Sequence, residues 1–142
     1  MIERAGEGDF DYALHEGSPD TRIQWYFHDR TRLPVAVQSW TLAPGGREGM
    51  HAHGEGRPLE ELYVVVEGSA VMRVDDVEYR LGPGDAVLAP PGAQHDVRNT
   101  GEGSLRLLVV WGPPGEVDFS AFGSYRAAAA AWAARPATHP GV

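Results

Sequence analysis

Apolar and polar residues alternate along most of the chain in short runs, and glycine or proline closes nearly every run. Alternation of period two puts successive side chains on opposite faces of a strand. Ile23–His28 (IQWYFH) is rich in aromatic and branched residues and predicts one strand. Val35–Leu42 predicts a second, broken by Pro44-Gly45-Gly46. Glu61–Gly68 (ELYVVVEG) is a β-branched run ending in glycine, and SAVMRVDD follows at once, which predicts a hairpin around Gly68-Ser69. Asp75-Asp76 marks the next turn. Val77–Leu81 alternates strictly and enters Gly82-Pro83-Gly84. Ala86–Pro90 and His95–Asn99 flank Pro91-Gly92, and Leu105–Gly112 reads as a last strand buried on both faces. Residues 1–22 carry charges and small side chains with little periodicity, and predict an irregular or edge-forming arm. About eight short strands between Gly/Pro turns, with no helix among them, predict an all-β sandwich or barrel.

The C-terminal stretch breaks this pattern. Residues 124 to about 135 are mostly alanine, the best helix former. Ser124 is placed to cap a short helix and Pro136 to stop it. Tyr125, Ala128, Ala129 and Trp132 fall on one face, so Trp132 is expected to pack against the barrel or a partner subunit. Only Arg126 and Arg135 supply basic charge there, which argues against a membrane-surface helix. With 142 residues the chain suits one domain, its barrel covering about residues 23–112.

The formal net charge of −8 opposes binding to nucleic acid or to an anionic membrane, and the arginines are scattered. Cysteine is absent, so a metal site must use imidazole, carboxylate or amide groups. The polar N-terminus has no apolar core of the kind a signal peptide needs, and the cytoplasm is the expected compartment.

Three signals point to metal chemistry. In a strand, His51 and His53 project to the same face and two imidazoles converge; a lone pair of this kind fits a surface equally well. Glu61 opens an apolar strand with Glu60 beside it, and the pleat turns only one of the two inward. Tyr63 and Val65 share the parity of Glu61. His95 follows a Pro-Gly turn and shares a face with Val97 and Asn99.

The spacing around these residues resembles the cupin family. One family pattern is G-x5-H-x-H-x(3,4)-E-x6-G; Gly45, His51, His53, Glu61 and Gly68 reproduce it except for one spacer. The other is G-x5-P-x-G-x2-H-x3-N; Gly84, Pro90, Gly92, His95 and Asn99 match every position. The departing spacer, Gly54–Glu60, holds seven residues, and leaves Glu55 and Glu60 as competitors of Glu61. The resemblance, from about Val35 to Trp111, implies a double-stranded β-helix, or jelly-roll barrel, holding one divalent metal ion through His51, His53, Glu61 and His95. Three imidazoles and a carboxylate suit Fe, Mn, Ni, Co, Cu or Zn.

Several functions follow from such a site. The first is dioxygenation of a small organic substrate, aromatic compounds included; the others are non-redox isomerase, cyclase or lyase chemistry and non-catalytic binding of a small ligand. Tyr63 is the expected catalytic donor. Gln38, Trp40, Arg57, Met72 and Trp111 are the expected pocket residues, although Arg57 also reads as a loop charge and Met72 and Trp111 as core. No cluster of basic residues flanks the motifs to hold a phosphate. His15, His28 and His139 fall outside both patterns and read as surface or packing residues. The resemblance also implies a homodimer, with Ile23–His28 as the exchanging element.

Overall fold

The computed structural model describes residues 1–137; His139 lies outside them. Among the described residues nine strands precede one α-helix. The strands are β1 (Phe10–Tyr12), β2 (Thr21–Trp25), β3 (Ala36–Leu42), β4 (Glu60–Glu67), β5 (Ala70–Val74), β6 (Val77–Leu81), β7 (Ala86–Ala89), β8 (His95–Asn99) and β9 (Leu105–Gly112). They form a six-stranded sheet in the order β1-β2-β3-β9-β4-β7 and a three-stranded sheet in the order β6-β5-β8. Every pairing is antiparallel.

The period-two pattern explains why the sheets face each other. In β3, Ala36, Gln38, Trp40 and Leu42 are buried while the residues between them are partly exposed. Trp40, Leu42, Tyr63, Val65, Leu105, Leu107 and Val109 from the larger sheet meet Ala70, Met72 and Val97 from the smaller. Full burial of each large side chain contributes about 1.5–3 kcal/mol, so this shared interior dominates the driving force for folding.

Several local expectations are corrected. Gly68-Ser69 is not a hairpin: β4 belongs to the larger sheet and β5 to the smaller, so the chain crosses between sheets there. Gly68 has φ +93°, and a Cβ on it would stand 2.7 Å from the Ser104 carbonyl oxygen, so the corner requires glycine. The true hairpin joins β5 to β6 through Asp75-Asp76, with Val74 opposite Val77. Strand β2 stops at Trp25, because residues 26–31 turn back and Thr31 N–H donates to the Phe27 carbonyl. Strand β9 is buried on one face only. Leu105, Leu107 and Val109 enter the core, Arg106 is exposed, and Leu108 and Val110 are half-buried.

The helix α1 spans Gly123–Ala133. Ser124 lies inside it and Phe122 holds the cap position without a side-chain hydrogen bond. No helix residue is buried, and Trp132 is 60% exposed. The Arg135 guanidinium lies 3.3 Å from the Trp132 ring centroid, and Trp132 borders a surface cavity with Tyr79, Leu81, Val87 and Leu88 of β6 and β7. No described helix is long and apolar enough to cross a membrane.

Candidate metal centre

The cluster forms where the two sheets meet at one end of the barrel. The segment leading out of β3 returns alongside β8: Arg47 bridges Arg98 and His51 bridges His95. His51 N–H donates to the His95 carbonyl at 3.1 Å, His95 N–H to that of His51 at 2.8 Å, and Gly92 N–H to that of His53 at 2.9 Å. These bonds fix His51 and His53 beside His95 on the smaller sheet. Glu61 comes from the larger sheet, between Ala89 and Trp111. The pleat turns Glu61 inward, where it is buried, and leaves Glu60 half-exposed. The spacer of residues 54–58 is an exposed loop carrying Glu55 and Arg57.

His51, His53, Glu61 and His95 each offer one ligand atom, and these atoms lie within 4.8 Å of one another. Glu61 Oε2 is 3.6 Å from His51 Nε2 and 3.5 Å from His53 Nε2, and it contacts His95 Nε2 directly. Metal–nitrogen and metal–oxygen bonds of about 2.0–2.2 Å require donors at such separations. The tautomers agree. His51 Nδ1–H donates to the Gly49 carbonyl at 2.8 Å and His95 Nδ1–H to that of Ala93 at 2.9 Å. A carbonyl only accepts, so in the neutral rings each Nε2 turns a lone pair into the cluster. His51 Nε2 is buried and has no hydrogen-bond partner in the protein, a deficit that a cation would satisfy. The residues present therefore fit a divalent ion.

The electrostatics have the same character. Burial raises the Glu61 pKa, but the facing His51 and His95 imidazoles outweigh it and hold the carboxyl at about 2. Burial lowers His53, against the pull of Glu61. Burial also acts to lower His95, yet its contact with Glu61 leaves it raised.

Two residues that sequence reasoning missed adjoin the cluster. Glu48 is 1% exposed, and its Oε1 is 3.5 Å from His51 Nε2. Burial, then the charge of Glu61, pushes its carboxyl well above the usual range. The His15 ring stacks on His51 with centroids 3.4 Å apart and planes 9° from parallel. Burial, then His51, holds His15 down at about 4. His15, Glu48 and His51 form a second possible ligand group. Since His51 Nδ1 is committed to Gly49, its single free nitrogen serves one ion, and the two groups are alternatives.

A cavity of about 330 Å³ opens beside the cluster. Gln38, Trp40 and Trp111 line it, with Glu48, His53 and Glu61. Phe10, Tyr12, Leu14 and His15 come from the N-terminal arm, and Ile23, Trp25 and Leu59 complete the wall. Met72 and Arg57 are not in the lining: Met72 is wholly enclosed in the core and Arg57 stays on the exposed loop. Trp40 Nε1–H donates to Gln38 Oε1 at 2.7 Å, which satisfies the buried indole N–H. Tyr63 is also absent from the lining. Its hydroxyl donates to Glu48 Oε2 at 3.1 Å or to Glu61 Oε2 at 3.4 Å, behind the ligands. Burial, then the nearby Glu48 and Glu61 charges, raises its pKa, so it remains a hydrogen-bond donor. His28 is exposed, its ring 6.4 Å from that of Trp25 and inclined 60° to it.

A jelly-roll barrel with three imidazoles and a carboxylate converging at one end defines the class. The chain belongs to the cupin family: the model of the cupin domain matches residues 38–111. Germin-like protein subfamily T member 3 of Arabidopsis thaliana is 35% identical over 83 residues, covering 55% of this chain and 35% of that protein. Protein SchB of Streptomyces halstedii is 36% identical over 73 residues, covering 51% of this chain and 50% of that protein. The chain thus spans half or less of the length of these curated relatives. The crystal structure of a predicted oxalate decarboxylase from Thermotoga maritima matches with a TM-score of 0.72 at 20% identity, covering 80% of this chain and 100% of that one. At that identity the likeness shows the fold.

Proposed function

We propose that the protein is a metal-dependent enzyme acting on a small, predominantly apolar organic molecule, with dioxygenation as the first reaction to test. One observation carries this reading: a four-donor cluster with an orphaned imidazole nitrogen adjoins a cavity lined mainly by aromatic and aliphatic side chains. His51, His53, Glu61 and His95 would hold one ion of Fe, Mn, Ni, Co, Cu or Zn. A bound divalent ion supplies Lewis-acid polarisation of a ligated oxygen and, for a redox metal, electron exchange with dioxygen.

The chain's own residues do the rest. Trp25, Trp40 and Trp111 exclude water from the substrate face and present flat apolar surface. Tyr63 is a positioning residue that holds the Glu48 and Glu61 carboxyl groups from behind. No Arg or Lys lines the cavity, and a small dianion such as oxalate would leave its apolar walls unfilled. The decarboxylase activity predicted for the Thermotoga protein is therefore not carried over.

A second reading is non-redox isomerase, cyclase or lyase chemistry. Glu48 favours it, because a buried carboxyl group beside the cluster and in the cavity wall can exchange a proton with a bound substrate.

Elemental analysis of tag-free protein, followed by oxygen-uptake screens with aromatic and enolic compounds, tests the proposal. About one equivalent of iron with compound-dependent oxygen uptake supports dioxygenation. One equivalent of zinc, nickel or manganese without uptake moves the reaction to the proton-transfer class. Failure to retain any of these ions, each supplied to the apo-protein, overturns the metal-enzyme reading.

A further inference from the structure

The N-terminal arm is fastened to the segment that carries the first two histidines. Gly49 N–H and Gly17 N–H both donate to the Leu14 carbonyl, at 3.0 and 2.8 Å. A Cβ on Gly17 would stand 2.1 Å from the Arg47 carbonyl oxygen, so the two backbones lie in direct contact. His15 and Glu16 have φ of +49° and +61°, a left-handed conformation uncommon outside glycine, and here taken by two residues in succession. Strain of this kind persists where surrounding structure enforces it and commonly marks a functional position. Its result here is the placement of the His15 imidazole against His51 and into the cavity wall.

His15 is poorly placed to share the ion of His51. An imidazole lone pair lies in the plane of its ring. With near-parallel rings stacked 3.4 Å apart, an ion on the lone pair of His51 lies outside the plane of His15. Its nitrogens are instead available to a molecule in the cavity beside the ligands. His15 Nε2 is 4.0 Å from Glu48 Oε1, beyond hydrogen-bond distance, and the side chain is 37% exposed, so it has freedom to turn toward such a molecule. The ligand's chemistry follows from the walls. Phe10, Tyr12, Trp25 and Trp111 suit a flat ring, while His15 and Glu48 add a polar corner next to the cluster. Neutral imidazoles, the Glu61 carboxylate and a dication leave one positive charge, which a monoanionic oxygen donor neutralises.

We infer that His15 is a specificity-determining residue: the arm delivers it to hydrogen-bond a planar aromatic ligand whose adjacent oxygens bind the metal. The inference rests on the metal-enzyme reading above and adds to it a residue outside both family patterns. It makes the arm part of the binding site.

The test uses zinc-loaded protein and 4-nitrocatechol, a coloured planar chelator, in an absorbance titration, with zinc stoichiometry measured on every sample. His15→Phe keeps a ring against His51 but removes its hydrogen bonds. The expected result is full zinc content and binding weakened about tenfold, the value of one hydrogen bond to a charged partner. His15→Gln retains a donor and is expected to recover most of the affinity, which a purely structural role would not predict. Unchanged binding by His15→Phe, or no 4-nitrocatechol binding by the zinc-loaded wild type, overturns the inference while leaving the metal site intact. Loss of zinc from His15→Phe also overturns it, by making His15 a ligand. A wild type that takes up no zinc or other divalent ion sinks the underlying metal reading.

Discussion

Gly49 lies so close to His15 that a Cβ built on it would stand 1.7 Å from the His15 carbonyl oxygen. Backbone cannot yield at that separation as a flexible side chain can. Gly49→Ala is therefore expected to push the arm off the barrel, at a cost of about 1–3 kcal/mol, the usual range for overpacking. Gly54→Ala is the control, since nothing lies within 4 Å of its Cβ position. Urea denaturation gives both stabilities, and hydrogen exchange over residues 10–17 reports arm release. Equal stability and equal protection in the two variants would refute the fastening of the arm.

His95 is 2% exposed and contacts Glu61 across the two sheets. His95→Ala removes one donor, and a metal site losing a direct ligand suffers more than the roughly 10–100-fold affinity loss seen for outer-shell partners. The barrel should persist, because β8 keeps its pairing with β5 through backbone bonds. Metal content after dialysis and far-ultraviolet circular dichroism check the two halves of this expectation. Full metal retention by a folded His95→Ala protein would remove His95 from the ligand set.

The cluster was legible in the sequence because each member has a local cause. His51 and His53 share a face by pleat, alternation turns only one of Glu60 and Glu61 inward while the motif step to Gly68 points to Glu61, and His95 follows a Pro-Gly turn. His15 and Glu48 were not legible, because their contacts are made by folding. Glu48 has the opposite parity to His51, and only the irregular path of residues 46–50 turns it inward. His15 depends on the arm crossing the barrel mouth. The one local sign of that was the alternation of Phe10, Tyr12 and Leu14, which place apolar side chains on the cavity. The crossover at Gly68 was misread as a hairpin for a related reason: a glycine between two strand-like runs marks a reversal or a change of sheet equally well. Tyr63 was placed on the correct face, but parity does not show that its hydroxyl stops behind the carboxylates.

Asn99 belongs to the second motif, yet its contacts are structural. Its Nδ2 donates to the Leu42 and Gly103 carbonyls at 3.0 and 2.8 Å, and its Oδ1 accepts from Gly101 N–H at 3.0 Å. These bonds tie β8 to the end of β3 and to the turn before β9. Asn99→Ala should cost about 2–3 kcal/mol, in the upper part of the range for buried polar groups left without partners. Metal stoichiometry at low temperature should remain that of the wild type. Chemical denaturation and elemental analysis on the same preparation separate the two effects. Loss of metal from a stably folded Asn99→Ala protein would show that the motif position acts on the site.

The chain is expected to form a homodimer. Apolar side chains are exposed on the outer face of the larger sheet, where Leu62 is 37% exposed and Leu88 51%. Strand β7 is the edge of that sheet, and an open edge invites pairing unless it is covered. Within the single chain β2 is paired with β1 on one side and β3 on the other. The contact is expected at β4 and β7, with exchange of Ile23–His28 between chains as the alternative. Sedimentation equilibrium at micromolar concentration should give twice the chain mass. Leu88→Lys, which puts a charge on this face without touching the core, should give the monomer with an unchanged circular dichroism spectrum. A monomeric wild type would refute dimerisation, and a Leu88→Lys protein that remains dimeric would move the interface to another face of the barrel.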